Sequence, residues 1–183
     1  DYYVNTLMHR LGVTPGDSRV RVWRSLGDEE VPDLQDCVGV VGSGSEINIH
    51  DDSNPLHLRA KERVFQVFLK ASNLSIPVVG ICFSSQAALQ ILSGEEGEIV
   101  RYLQAFGEGR VKAETGLINL SLTDQGKKDP VLSSFPNEFK LIANHLQEVD
   151  PEKLPEGFEV LASSKDCAVQ IVRVHSNMIF VQS

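Results

Sequence analysis

The sequence is poor in cysteine, methionine and tryptophan, with three, two and one among 183 residues. Three is an odd number of cysteines, and none stands in a Cys-x-x-Cys pair or at Cys/His ligand spacing. Neither a disulfide framework nor a zinc site is therefore indicated, and a reducing, cytoplasmic setting fits. No apolar run approaches the roughly 20 residues that span a bilayer, and no basic amphipathic stretch reads as a membrane-surface helix. Positive charge is also scarce: 17 Lys and Arg stand against 25 Asp and Glu, a net charge of −8. An acidic surface repels phosphate backbones and disfavours nucleic acid as a partner. Internal repeats, low-complexity tracts and long linkers are lacking as well.

What remains is a globular balance, 42% hydrophobic and 23% charged, in a chain of one-domain size. Such a chain buries roughly 70% of its unfolded surface and needs no staple to hold a core. Residues 1–12 read as a helix, with Val4, Leu7, Met8 and Leu11 on one face and Gly12 as its C-cap. Arg19 to Arg24 alternates at period two, as a half-buried strand does. Cys37 to Val41 and Ile76 to Cys82 are short apolar runs that read as strands covered on both faces. Between them, Leu56 to Ala71 has helical periodicity. Leu58, Val64, Phe65, Phe68 and Leu69 are expected inside, and Arg59, Lys61, Glu62 and Lys70 outside. A second helix is expected from Gln86 to Leu92, ending at Gly94.

Beyond residue 111 the rhythm changes to short strands. Val111 to Thr123, Phe139 to Ala143, Phe158 to Ala162, Ala168 to Val174 and Met178 to Gln182 are set apart by proline and glycine. The expected architecture is one α/β domain. It has an open, mostly parallel, doubly wound, flavodoxin-like sheet with helices on both faces and a β-rich flank over about 111–174.

The sharpest local feature is Gly80-Ile81-Cys82-Phe83-Ser84-Ser85-Gln86. A buried strand runs into a helix with almost no loop and a cysteine at the junction, flanked by small residues two before and two after. That is the pattern of a nucleophile elbow. A helix N-terminus beneath Cys82 would lower its pKa, and the Phe83 N–H would face the oxygen of a substrate under attack. On spacing alone, a buried core cysteine ending a strand is the commoner reading. Cys37 and Cys167 sit in apolar strand patterns and read as core.

This segment resembles the Gly-Ile-Cys-Phe-Gly-His-Gln elbow of class I glutamine amidotransferases. Val40-Val41-Gly42-Ser43-Gly44-Ser45 is similar to the family's oxyanion strand and loop. Asn144-His145-Leu146-Gln147-Glu148-Val149 follows its His-x-Asp-x-Val pattern. Leu154-Pro155-Glu156-Gly157-Phe158 and Leu161-Ala162-Ser163-Ser164 follow Leu-Pro-x-Gly-Phe and Leu-Ala-x-Ser, and Glu114-Thr115-Gly116 and Asp129-Pro130 match in order. The resemblance runs along the whole chain and is greatest to the stand-alone, GMP-synthase-like branch.

It implies a Cys-His-Glu triad that hydrolyses the γ-amide of glutamine, or of a related γ-glutamyl compound, through a thioester. Cys82 matches the nucleophile, Gly44 and Phe83 the oxyanion-hole donors, and Gln86 and His145 residues near the substrate. No metal or organic cofactor is implied. Without a P-loop in the chain, ammonia would pass to a separate synthetase subunit.

The sequence departs from the family at several points. The family's His-Pro-Glu segment would begin directly after Ser183, and its first strand would precede Tyr3, so the domain is expected to lack short pieces at both ends. Ser84, Ser85 and Gln147 replace Gly, His and Asp. These changes keep two alternatives open: a γ-glutamyl peptidase acting on glutathione-like substrates, and an inactive binding or regulatory homologue.

Overall fold

The computed structural model describes residues 8–9, 12–14, 17–93, 99–102 and 113–183. Seven strands form one sheet: β1 (Val40–Gly42), β2 (Val78–Ile81), β4 (Glu114–Leu122), β5 (Glu138–His145), β7 (Phe158–Ser164), β8 (Ile171–Val174) and β9 (Met178–Val181). Their order across the sheet is β1-β2-β9-β8-β7-β4-β5. A separate antiparallel pair joins β3 (Val100–Tyr102) to β6 (Gln147–Val149). Helix α1 (Pro55–Asn73) follows β1 and helix α2 (Phe83–Leu92) follows β2.

The expectation of a mostly parallel, doubly wound sheet is corrected. Only β1, β2 and β9 run parallel, while β9-β8-β7-β4-β5 is antiparallel throughout. The physical reason lies in the connections. Parallel neighbours need a crossover, and α1 supplies one between β1 and β2. Strands β8 and β9 are joined by the tight turn 175–177, which returns the chain antiparallel, and β4 and β5 by the longer stretch 123–137, which carries two 3-10 turns and no crossover α-helix. The sheet also curls, and Ser183 Oγ, just past β9, donates to the Ile142 carbonyl of edge strand β5 at 2.8 Å.

The two described helices pack against each other and share one core cluster, so helices on both faces are not seen among the described residues. In that cluster Phe68 of α1 stacks on Phe180 of β9, ring centroids 5.8 Å apart. Burying side chains of this size contributes about 1.5–3 kcal/mol each. Glycine at position 80 makes the stack fit, since a Cβ there would stand 2.6 Å from the Phe180 ring. A second cluster, with Leu120, Leu122, Leu161, Ile171 and Ile179, fills the antiparallel half. No helix among the described residues is long and apolar enough to cross a membrane.

Several sequence expectations shift in detail. Arg19 to Arg24 is not a strand. Its side chains bond loop carbonyls, Arg21 to Asp33 O and Trp23 to Glu30 O, and Arg63 of α1 covers the Trp23 ring. Strand β1 is shorter than expected because Val38 lies outside it, 94% exposed. The inward stripe of α1 is Ala60, Val64, Val67, Phe68 and Ala71, while Leu58 and Leu69 are exposed. Lys61, expected in water, is only 8% exposed, and its ammonium donates to Ile49 O and to Asp52.

Of the first expected helix, Met8 and His9 are helical and the remaining residues up to Leu11 lie outside the described residues. Gly12 has φ +68° and Val13 N–H reaches Met8 O at 2.8 Å, the left-handed cap anticipated there. Gly94, and Val111 and Lys112 at the start of the next expected strand, also lie outside the described residues.

Candidate functional site

The site is built where β2 meets α2. Cys82 is the residue before the helix, with φ +52° and ψ −118°. This backbone is outside the relaxed wells of an L-residue and costs on the order of 1–3 kcal/mol. Neighbouring bonds hold it there: Cys82 N–H donates to Val181 O of β9 at 2.8 Å, and Gln86 N–H donates to Cys82 O at 2.9 Å. The strained junction turns the thiol out of the sheet at the strand's carboxyl end.

The two serines of the elbow lock this turn. Ser84 Oγ accepts from Ile81 N–H at 2.9 Å and donates to Ile81 O at 3.0 Å. Ser85 Oγ donates to Cys82 O at 2.7 Å. Both serines are buried. Ser84 has room because residue 42 is glycine: a Cβ there would lie 2.6 Å from both Ser84 Oγ and Phe68 Cζ. Gly42→Ala is therefore expected to cost about 2 kcal/mol by overpacking. Part of that should return in the Gly42→Ala/Ser84→Gly pair, as read from denaturant midpoints.

The loop after β1 closes over the cysteine. At Gly44 a Cβ would stand 3.2 Å from Cys82 Cβ and 3.7 Å from Sγ, so this residue lies against the thiol. The backbone N–H groups of Phe83 and Ser45 favour the thiolate of Cys82 electrostatically. Gly44, expected from the sequence as an oxyanion-hole donor, thus lies beside the thiol. Burial raises the Cys82 pKa above the ordinary thiol value, and these two amides offset it only in part. The expected lowering by the helix terminus is outweighed, because α2 presents its amides to a sulfur largely removed from water.

Gln86 and His145 are drawn inward. Gln86 is 3% exposed, and its amide donates to Gln182 Oε1 at 2.9 Å, with Gln147 O at 3.5 Å. His145 is 5% exposed, with Nδ1 2.8 Å from Gln147 O and Nε2 2.9 Å from Glu114 Oε2. Glu114 also accepts from Ser164 Oγ at 2.6 Å and from Gln170 Nε2. The other described histidines near the loop are engaged elsewhere. His57 pairs with Asp51 at 3.0 Å, and His50 lies against the Tyr102 ring. Cys167 is buried, with its pKa raised strongly by desolvation and by the nearby Glu148 and Glu114. It is a core thiol, although it lies between β7 and β8 and not within a strand.

Sequence reasoning missed Asn48 and Tyr102. Asn48 Oδ1 accepts from Gln147 Nε2 at 2.8 Å, and Asn48 Nδ2 donates to Tyr102 OH at 2.7 Å. Strands β3 and β6 bring these groups together, and three-residue strands carry too little alternation to be read. No cluster of His, Cys, Asp and Glu suited to a metal occurs among the described residues.

Comparison with known proteins adds to this geometry. The family described as glutamine amidotransferase class-I matches residues 53–182. A probable GMP synthase (glutamine-hydrolyzing) of Leptospira interrogans is 29% identical over 153 residues, covering 84% of this chain and 21% of that protein. One subunit of the Archaeoglobus fulgidus GMP synthase (glutamine-hydrolyzing) is 28% identical over 170 residues, covering 92% of this chain and 75% of that protein. The crystal structure of a putative GMP synthase subunit from Thermoplasma acidophilum superposes with a TM-score of 0.68 at 21% identity. It covers 99% of this chain and 76% of that one. The chain thus spans about a fifth of the length of the Leptospira relative.

Proposed function

Because the chain belongs to the glutamine amidotransferase class-I family, we propose that it is a cysteine hydrolase acting on the γ-amide of glutamine or a related γ-glutamyl compound. The observation that carries this reading is the strained backbone of Cys82 at the strand–helix junction, with Gly44 lying against its thiol. Strain of this kind persists where it aims a reacting group.

In the proposed reaction the Cys82 thiolate attacks the amide carbon. The carbonyl oxygen gains the electron pair and lies within reach of the Phe83 and Ser45 amides. Collapse of that intermediate breaks the C–N bond, and the nitrogen takes up a proton and leaves as ammonia. Water then cleaves the γ-glutamyl thioester, returning the thiol and releasing the free γ-carboxylate. Gln86 and His145 serve this site as its supporting wall. The released ammonia would pass to a synthetase on a separate chain, an arrangement supported by the Archaeoglobus relative, which is named as one subunit of its synthase.

The γ-glutamyl peptidase reading stays open at one feature. Position 147, where the family's pattern has an aspartate, holds an amide already bonded to Asn48. Parallel assays on glutamine and glutathione separate the two substrates.

The test of the shared chemistry is labelling by 6-diazo-5-oxo-norleucine, read by peptide mass. A single adduct on Cys82, absent in Cys82→Ala, is expected. Since burial raises the thiol's pKa, its reactive thiolate fraction should grow with pH through and beyond the ordinary thiol range. Wild-type protein that forms no adduct even at alkaline pH would sink the hydrolase reading in favour of a binding homologue.

A further inference from the structure

Two walls of the Cys82 site meet at a single residue. Gln147, at the start of β6, offers its carbonyl to His145 Nδ1 at 2.8 Å and to Gln86 Nε2 at 3.5 Å. Its side-chain amide donates to Asn48 Oδ1 at 2.8 Å. The first wall is α2, where Gln86 lies one helical turn beyond Cys82 and its N–H bonds Cys82 O. The second is the loop after β1. Asn48 organises that loop by also accepting from His50 N–H at 3.0 Å, and Ser45 Oγ accepts from Ile47 N–H at 3.2 Å. Behind Gln147 the His145–Glu114 contact is buried, which fixes the corner between β5 and β6. Gln147 itself is 7% exposed, so its amide serves the protein's interior rather than the solvent.

We propose that Gln147 is a positioning residue for Cys82, tying the loop that carries Ser45 to the corner anchored by His145 and Glu114. The inference rests on Cys82 being the reacting thiol. The coupling is directional in its consequences. When the Gln147–Asn48 bond is cut, the 43–48 loop loses its link to β6, and the Ser45 amide is no longer held against the sulfur. The thiolate then loses one of its two donors, whereas α2 and the Phe83 amide stay in place. An amide side chain suits this position, because Asn48 presents Oδ1, an acceptor, and needs a donor opposite it.

The test is the rate at which iodoacetamide alkylates Cys82 in the whole chain, followed by peptide mass from neutral to alkaline pH. Gln147→Ala and Asn48→Ala should each slow alkylation at neutral pH by about tenfold, the scale of a lost hydrogen bond of about 1.4 kcal/mol. Each should also move the pH midpoint upward, which a loss of general stability would not do. The double variant should be no slower than either single one, because both cut the same bond.

Gln147→Ala could unfold, which circular dichroism would show. Asn48→Ala, in a partly exposed loop, then decides alone. Variants that alkylate at the wild-type rate and midpoint, or whose effects multiply, would overturn the inference while leaving the hydrolase reading intact. Wild-type Cys82 that iodoacetamide does not modify at any pH would overturn both.

Discussion

Replacing Cys82 with glycine is expected to give a chain that forms no adduct with a γ-glutamyl electrophile yet is more stable than Cys82→Ala. The loss of chemistry is complete, because a covalent step needs the sulfur and neither remaining thiol stands at an elbow. Cys167 is buried and its thiol is held strongly in the protonated form. The stability order comes from the backbone. At φ +52° and ψ −118° any Cβ is strained, by about 1–3 kcal/mol. Glycine adopts this conformation freely but costs about 0.5–1 kcal/mol in the unfolded chain. Glycine should therefore exceed alanine by about 1 kcal/mol in denaturant unfolding. Alanine equal to or above glycine would show that the junction stores no strain. The elbow would then be an ordinary strand end, and the main support for the proposed chemistry would be gone.

Much of this site was readable from sequence for a physical reason. A nucleophile elbow is a local object: strand, cysteine and helix are consecutive, and the small residues that permit the turn lie within two positions of Cys82. The loop at Gly42–Ser45 is likewise compact, and Gly44, which the family resemblance named, lies against the thiol. What escaped is long-range. The Gln147–Asn48 bond joins residues 99 apart in the chain, and no periodicity encodes it. The partners of Gln86 and His145 escaped for the same reason, since Gln182 lies just past β9 and Glu114 begins β4.

Sheet direction failed differently. Short apolar runs such as Ile171 to Val174 and Met178 to Val181 look alike whether neighbours run parallel or antiparallel. Only the lengths of their connections distinguish the two. Lys61 shows a third kind of failure. It borders the apolar stripe of α1, and its burial depends on the Ile49 carbonyl and Asp52 being there to receive the ammonium.

The largest loss of stability is expected at Glu114. This carboxylate is buried, accepts from Ser164 Oγ and Gln170 Nε2, and lies 2.9 Å from His145 Nε2. Glu114→Ala removes the acceptor and leaves all three groups facing a cavity, a loss of about 3–5 kcal/mol. Glu114→Gln keeps the shape and one acceptor oxygen but turns an NH2 group toward one of these neighbours, so an intermediate loss is expected. The two variants should also differ at the thiol. The glutamine variant still fills the space beneath His145 and should retain most of the alkylation rate of Cys82. The alanine variant frees the β5–β6 corner, and Gln147 and Asn48 with it, so alkylation should fall by the same factor as in Asn48→Ala. An alanine variant that unfolds several kcal/mol more easily, yet alkylates at the wild-type rate while folded, would confine Glu114 to the core. The corner that holds Gln147 would then owe its geometry to the β4–β5 ladder alone.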